Sequence, residues 1–394
     1  MAQHAELELY ATGKDTIPVA VLPFSHRGED AAPPAAPEEI IAADLSFTGR
    51  FTIVEVPRID TQLFREKNIS LCIDGEYETN KGEITLHCNL HDAMTVDLLF
   101  GKKYRGKAAF TRNMAHRFAN EVVHTLLGRK GVFESKIVFV KELGTRKHLY
   151  LMDYDGYNEK KLFTLPTVNI FPVFADSSTV LWTSYLRGKP DIYTGSLQTG
   201  KADILFYSRS IEVSPDVNRL TGDIVFASSR RGNLDIYRAD ADGGNITRLT
   251  DSYAIETAPC WSPNGYHIAF TSDRSGNPHI YIMDRDGANV RRLTFNGKYQ
   301  DSPAWSPTGS QIAYACLQNG TFEIWSIKPD GSEEKRITDS PGNNEYPTWS
   351  PDGNHIAFVS TRGAQKDIFT IRKDGTGMRR ITHSHNATMP YWQK

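Results

Sequence analysis

A spacing of 44 residues recurs along the last two thirds of the chain and restricts what it can fold into. Ile268-Ala-Phe returns as Ile312-Ala-Tyr and Ile356-Ala-Phe. Ile137-Val-Phe, Val180-Leu-Trp and Ile224-Val-Phe carry the series back from Ile268 at steps of 43, 44 and 44 residues. A second marker keeps the same beat: Leu149-Tyr, Ile192-Tyr, Ile236-Tyr, Ile280-Tyr, Ile324-Trp and Ile368-Phe. A third is a turn, Asp155-Gly, Thr199-Gly, Asp242-Gly, Asp286-Gly, Asp330-Gly and Asp374-Gly. Six copies of a short all-β unit at this period imply a propeller or a solenoid.

One copy, Ala258 to Thr294, predicts four strands: Ala258–Ser262, His267–Ser272, His279–Asp284 and Val290–Thr294. Each is rich in β-branched or aromatic residues and bounded by Gly, Pro, Asn or Asp. Four strands per repeat is one propeller blade. Trp261, Trp305, Trp349 and Trp392 recur on the first strand and are expected to pack between neighbouring blades, because one blade cannot bury both its faces.

The count predicts closure. Six second strands begin at Ile137, Val180, Ile224, Ile268, Ile312 and Ile356, but no first strand precedes Ile137. Met389-Pro-Tyr-Trp392 is a first strand with nothing after it. If it completes the Ile137 blade, six blades form a ring with no open edge where the ends meet. The expected fold class is therefore an α/β N-terminal domain, residues 1–132 with an arm at 1–14, followed by an all-β six-bladed propeller, residues 133–394.

The repeat is absent before about Phe133. Ile17–Leu22 and Phe51–Glu55 read as strands, and Pro37–Phe47 and Ile59–Glu66 as helices. Leu71–Tyr77 and Glu83–Leu90 flank the hairpin turn Asn80-Lys-Gly. Met114, Phe118, Val122 and Leu126 form a helical stripe stopped by Gly128. Gly28–Pro37 is expected to be an extended surface loop. Cys88 alternates with Ile84, Leu86 and Leu90 and should face a core. Cys72 alternates with Asp74 and Glu76 and should face the more polar side. All four cysteines are expected to be free.

Formal charge is −2, so no basic field favours nucleic acid. No apolar run approaches the roughly 18 residues that span a bilayer, and Met1-Ala-Gln-His-Ala-Glu lacks the apolar core of a leader. No Gly-x-Ser-x-Gly elbow and no phosphate loop is present. His87 and His91 fall on a predicted strand, where four residues span about 13 Å, too far for two ligands of one Zn²⁺. No catalytic residue, cofactor or metal is expected. Arg230, Arg274 and Arg362 recur between second and third strands, and recurrence points to a structural task such as satisfying turn carbonyls.

Function breaks such symmetry, and the asymmetric positions are the loops entering each first strand, which converge on one mouth of the channel. Candidate binding residues there are Ile255, Glu256, Ala258, Tyr299, Asp301, Asn344 and Glu345. In the arm, Leu7 and Leu9 alternate with Glu6, Glu8 and Tyr10, a pattern suited to strand addition on a partner's sheet. Leu7, Leu9 and Tyr10 are the candidate contacts. Read alone, these residues leave two other functions open: a glycosidase or lyase using Glu256, Asp301 and Glu345, or a scaffold for an unrelated partner.

Both halves resemble one family. Ile17-Pro-Val-Ala-Val-Leu-Pro-Phe24, Pro37-Glu-Glu-Ile-Ile-Ala-Ala-Asp-Leu45 and Gly49-Arg-Phe51 resemble the N-terminal domain of the TolB family. The Trp-Ser-Pro-Asp-Gly-x-x-Ile-Ala-Phe and Arg-Arg-Leu/Ile-Thr repeats resemble its propeller. The resemblance implies a monomeric, non-enzymatic periplasmic protein of the Tol-Pal envelope system, its leader removed. It implies binding of the Pal lipoprotein at the propeller mouth and of the TolA C-terminal domain through the N-terminal arm, in support of outer-membrane integrity and envelope constriction. Carried over by motif, Ile255, Ala258 and Asp301 fall where the family's partner-sensitive positions lie, with Ile255 departing from the polar residue expected there.

Overall fold

The computed structural model describes residues 16–33, 35–363 and 365–394. It divides into two compact units, residues 1–134 and 135–394. No helix among the described residues is long and apolar enough to cross a membrane.

The first unit is a mixed sheet with helices. Its elements are β1 (Ile17–Val21), β2 (Ser25–Gly28), α1 (Pro37–Phe47), β3 (Phe51–Val54), α2 (Thr61–Glu66), β4 (Leu71–Asn80), β5 (Glu83–Asp92), β6 (Leu98–Lys107) and α3 (Thr111–Leu127). The strand order is β3-β1-β4-β5-β6, with β2 beside β4. β1 runs parallel to both β3 and β4, and β4, β5 and β6 are antiparallel. Pro at the first position of α1, Asp60 capping the N–H groups of Gln62 and Leu63, and Gly128 in the left-handed conformation after α3 mark the helix ends.

Two strands escape the sequence pattern. β2 and β6 present mostly exposed polar residues, so neither carries the apolar alternation that announces a strand. β2 also begins three residues before the expected Gly28–Pro37 loop. Cys72 corrects a second expectation: it is buried against Ala20, Leu22 and Phe64 rather than turned to a polar side. The start of β4 lies beneath α2, which covers that face, whereas Asp74 and Glu76 lie further along the strand and remain partly exposed. All four cysteines are free and buried.

The second unit consists of six four-stranded antiparallel sheets. Ala387–Trp392 pairs with Lys136–Leu143, Trp392 opposite Ile137, so the last strand completes the first blade. Hydrophobic clusters straddle blade boundaries. Trp261 packs with Val225 and Ile236 of the preceding blade, Trp305 with Ile280, and Trp349 with Ala313 and Ile324. The Trp349 indole N–H also donates to Ala304 O of the blade before it (3.0 Å).

The repeated motifs now have local reasons. In Arg-Leu/Ile-Thr, the Thr hydroxyl accepts the N–H of the first Ile of the third strand: Thr250 from Ile236, Thr294 from Ile280, Thr338 from Ile324 and Thr382 from Ile368, at 2.8–3.0 Å. The Arg reaches the carboxylate just before that Ile, Arg248 to Asp235 (2.7 Å), Arg336 to Glu323 (2.7 Å) and Arg380 to Asp367 (2.6 Å). In Ser-Pro-Asp-Gly, Ser350 Oγ donates to Asp352 (2.5 Å) and accepts the N–H of His355 (2.9 Å), closing the turn between first and second strands. The Asp-Gly turns need glycine for close approach. A Cβ on Gly287 (φ +90°) would lie 2.3 Å from Leu249 O, and one on Gly156 (φ +91°) 1.9 Å from Ile381 O, each in the neighbouring blade.

Arg230, Arg274 and Arg362 do have structural partners, but not turn carbonyls. Arg230 Nε pairs with Glu212 (3.0 Å), and Arg274 pairs with Glu256; each carboxylate opens a first strand and is fully buried. An ionised carboxylate in that position requires a cation beside it. The sixth blade has Asn344 there instead, and Arg362 donates to Ser340 and Ser360 hydroxyls (2.6 and 3.1 Å).

Candidate functional site

Six equivalent residues ring the channel just inside its mouth: Phe171, Ser214, Ala258, Ser302, Tyr346 and Met389. Each has φ between +48° and +56° and each precedes a proline. Each sits at a shift in register between first and second strands. A left-handed conformation is costly for a residue with a side chain, and most of all before proline. Six-fold repetition of that cost marks the bulge as the device that turns each first strand into the channel.

The backbone repeats here but the side chains do not. Tyr346, Met389 and Phe171 form a bulky arc across the closure point, with the Phe171 and Tyr346 rings 6.4 Å apart and inclined at 55°. Ser214, Ala258 and Ser302 form a small arc opposite. Together they line a pocket of about 120 Å³. Below the ring, Asp216 accepts the N–H of Trp261 (2.7 Å) and the hydroxyl of Tyr391 (3.1 Å), and burial pushes its carboxyl above the usual range.

The structure separates the predicted residues into surface and support. Ile255 is 53% exposed on its loop, its N–H donating to Asp273 Oδ1 (2.8 Å). Ala258 belongs to the ring. Tyr299 lies edge-on to Phe322, ring centroids 5.7 Å apart. Asp301 accepts from the Thr271 hydroxyl (2.8 Å) and the Ser302 N–H (2.7 Å); burial raises its carboxyl pKa, and those bonds oppose the rise. Burial also raises Glu345, opposed by Lys366 and reinforced by Asp301.

Glu256 and Asn344 correct the expectation. Both are fully buried: Glu256 is neutralised by Arg274, and Asn344 donates to Glu323 Oε2 (2.9 Å). Both side chains are turned inward and tie the loops together instead of lying on the surface. Leu7, Leu9 and Tyr10 lie outside the described residues.

The loop reading missed a set of exposed apolar side chains on the same end of the propeller. Tyr207 (60% exposed) lies between the second and third blades, Tyr253 (108%) between the third and fourth, and Phe295 (70%) between the fourth and fifth. Tyr185 and Leu186 stand on a second-to-third-strand turn at that end. Arg187 covers the Tyr207 ring at 4.3 Å. Large apolar residues inside polar turns, where no core is within reach, were the available sign. They form an arc from the second blade to the fifth, on the side of the small ring residues. The sixth and first blades answer with charge: Lys366 and Lys147 flank Glu142 at 3.1 and 2.8 Å. Among the described residues no group of three His, Cys, Asp or Glu side chains could hold a metal.

The chain is thus a six-bladed propeller closed by its last strand, with an asymmetric apolar and charged mouth, and a mixed α/β unit precedes it in sequence. Residues 123–302 and 299–394 match the model of the TolB beta propeller domain, and residues 5–99 match that of the TolB amino-terminal domain. The chain belongs to the TolB family. A Tol-Pal system protein TolB of Desulfosudis oleivorans is 32% identical over 192 residues, covering 45% of this chain and 44% of that protein. The Geobacter sulfurreducens counterpart is 36% identical over 187 residues, covering 44% and 43%. The matched region thus spans less than half the length of these curated relatives. The crystal structure of TolB from Acinetobacter baumannii shares the fold over 96% of this chain and 97% of that one, with a TM-score of 0.83 at 21% identity.

Proposed function

We propose that this chain is a non-enzymatic adaptor of the Tol-Pal envelope system, working in the periplasm. It binds the Pal lipoprotein at the propeller mouth and the TolA C-terminal domain through its first 14 residues. One observation carries the mouth assignment: six positions with one backbone geometry hold five residue types, while the blade walls around them repeat. Walls that repeat serve packing; a rim that does not repeat serves recognition. The apolar arc of Tyr207, Tyr253, Ile255 and Phe295 supplies anchor area beside the open half of the ring, and buried aromatic anchors dominate interface energetics.

Calorimetric titration with a purified Pal domain tests the reading. Ala258→Tyr fills the small arc and Asp301→Arg reverses a charge; each is expected to weaken binding about thirtyfold or more, a loss of about 2 kcal/mol. Thermal melts establish that the variants are folded. Removal of residues 2–13 is the complementary arm, expected to abolish TolA binding and leave the melt unchanged. If both folded point variants bind Pal like the parent, the mouth is not the site.

A further inference from the structure

We propose a second docking site, in the first unit and independent of the propeller: a crevice at the carboxyl ends of β1 and β3 that receives a protein segment carrying Lys or Arg between apolar side chains. The topology puts it there. The chain leaves β1, runs briefly as β2 beside β4, and passes through α1 to return as β3 on one flank of β1; it leaves β3 through α2 and returns as β4 on the other flank. Val21 and Ile53 face α1, whereas Ala20 and Val54 pack on the α2 side with Phe64. Outgoing connections therefore part to opposite faces between two adjacent parallel strands. Open α/β sheets bind their ligands in the crevice outside such a switch point.

The crevice holds about 650 Å³, within the range of sites that engulf a few side chains. Val21, Ala42 and Ile53 line it together with half-buried Glu38 and exposed Glu39 and Glu55. None of the three carboxylates has an ion-pair partner among the described residues. Glu38 Oε1 accepts the Phe24 N–H (3.1 Å), while Oε2 is buried without a partner. The cation in contact nearby, Lys67, donates to the backbone oxygen of Glu55 (3.4 Å) and not to a carboxylate.

These features select the occupant. A bare helix N-terminus attracts anions, but Glu38 and Glu39 in the first turn of α1 reverse that preference. Apolar side chains beside three carboxylates suit a side chain with an aliphatic stem and a cationic head, which Lys and Arg combine. β3 is an edge strand of the sheet, so an extended segment also finds backbone to pair with. The chain's own residues 1–15 are a poor match, since Glu6, Glu8 and Asp15 outnumber Lys14.

The test uses the full chain with isotope-labelled Ala, Ile and Val methyl groups. Two probes are titrated: acetyl-Leu-Arg-Val-Lys-Leu-amide and its acidic counterpart acetyl-Leu-Glu-Val-Glu-Leu-amide. The basic peptide is expected to shift the Ala42, Ile53 and Val56 methyl resonances, and the acidic one to leave them in place. The E38Q/E39Q/E55Q variant should bind the basic peptide about tenfold more weakly with an unchanged melt. The proposal is overturned if these methyls do not move by about 1 mM peptide, if both peptides move them alike, or if the variant binds as the parent does. It is overturned in favour of the chain's own N-terminal segment if deleting residues 1–15 moves the Ala42 and Ile53 resonances with no peptide present.

Discussion

The blade walls and the mouth of the channel come from the same repeat and follow opposite rules. Along the second strands Ile224, Ile268, Ile312 and Ile356 are all buried, and each packs with apolar residues of the preceding blade. At the ring the backbone is just as regular, yet Phe171, Ser214, Ala258, Ser302, Tyr346 and Met389 differ in size and polarity. The wall positions must fill equal spaces between equal sheets, so packing admits few side chains. The ring positions face an open channel, where packing imposes little. Stability is thus carried by what repeats, and the recognition proposed for the mouth falls to what does not.

The harshest way to break this contrast is to remove the closing strand. Deleting residues 388–394 strips the first blade of the partner of Lys136–Leu143 and exposes a sheet edge and an apolar face. Aggregation or loss of a cooperative melt is expected, read by light scattering and calorimetry. An unchanged melt would refute closure as the source of stability.

Trp349→Ala sharpens the wall side. It empties a fully buried interblade position and deletes the bond to Ala304 O. A cost of about 3–5 kcal/mol is expected from chemical denaturation, with Pal affinity retained in the folded fraction. Tyr253→Ala is the converse. The side chain is fully exposed, so stability should stay within about 0.5 kcal/mol while Pal affinity falls up to about tenfold. If Tyr253→Ala lowers the melt instead, the division between wall and rim fails at that loop.

The smallest effect is in pH dependence. Burial raises the Asp301 and Glu345 carboxyls, so they take up protons above the range of ordinary carboxylates. A raised acid favours the folded state most when protonated; this contribution is greatest below the unfolded pKa and fades as pH rises through the folded value. Asp301→Asn should therefore leave stability near its acid-side value as pH increases through that window, where the parent loses a little. Melts of both proteins across the acidic range check the sign.

Much of the propeller was legible because its repeat is dictated by local chemistry. Glycine at the Asp-Gly turns, the Thr hydroxyl beneath the third strand of four blades and the period-2 apolar pattern are all short-range requirements written as recurring letters. Closure was legible too, as an arithmetic surplus of one first strand at Met389–Trp392. β2 and β6 were not, because edge strands with solvated side chains lack the apolar alternation that marks a strand. The site was legible to the level of its loops. That Ile255 and Tyr299 are exposed while Glu256 and Asn344 are buried was not, since all four lie within the same short entry segments.

The sequence by itself determined the number of blades, their strand order and which loops share one end of the ring, because those follow from spacing and from residues a few positions apart. Only the tertiary structure decided which side chains of those loops look outward, that Arg230 and Arg274 neutralise buried carboxylates, and that the ends of β1 and β3 part to form a crevice. These depend on what a neighbouring strand, blade or helix brings alongside. A residue's exposure and charge state are properties of that company, and the order of the letters does not contain it.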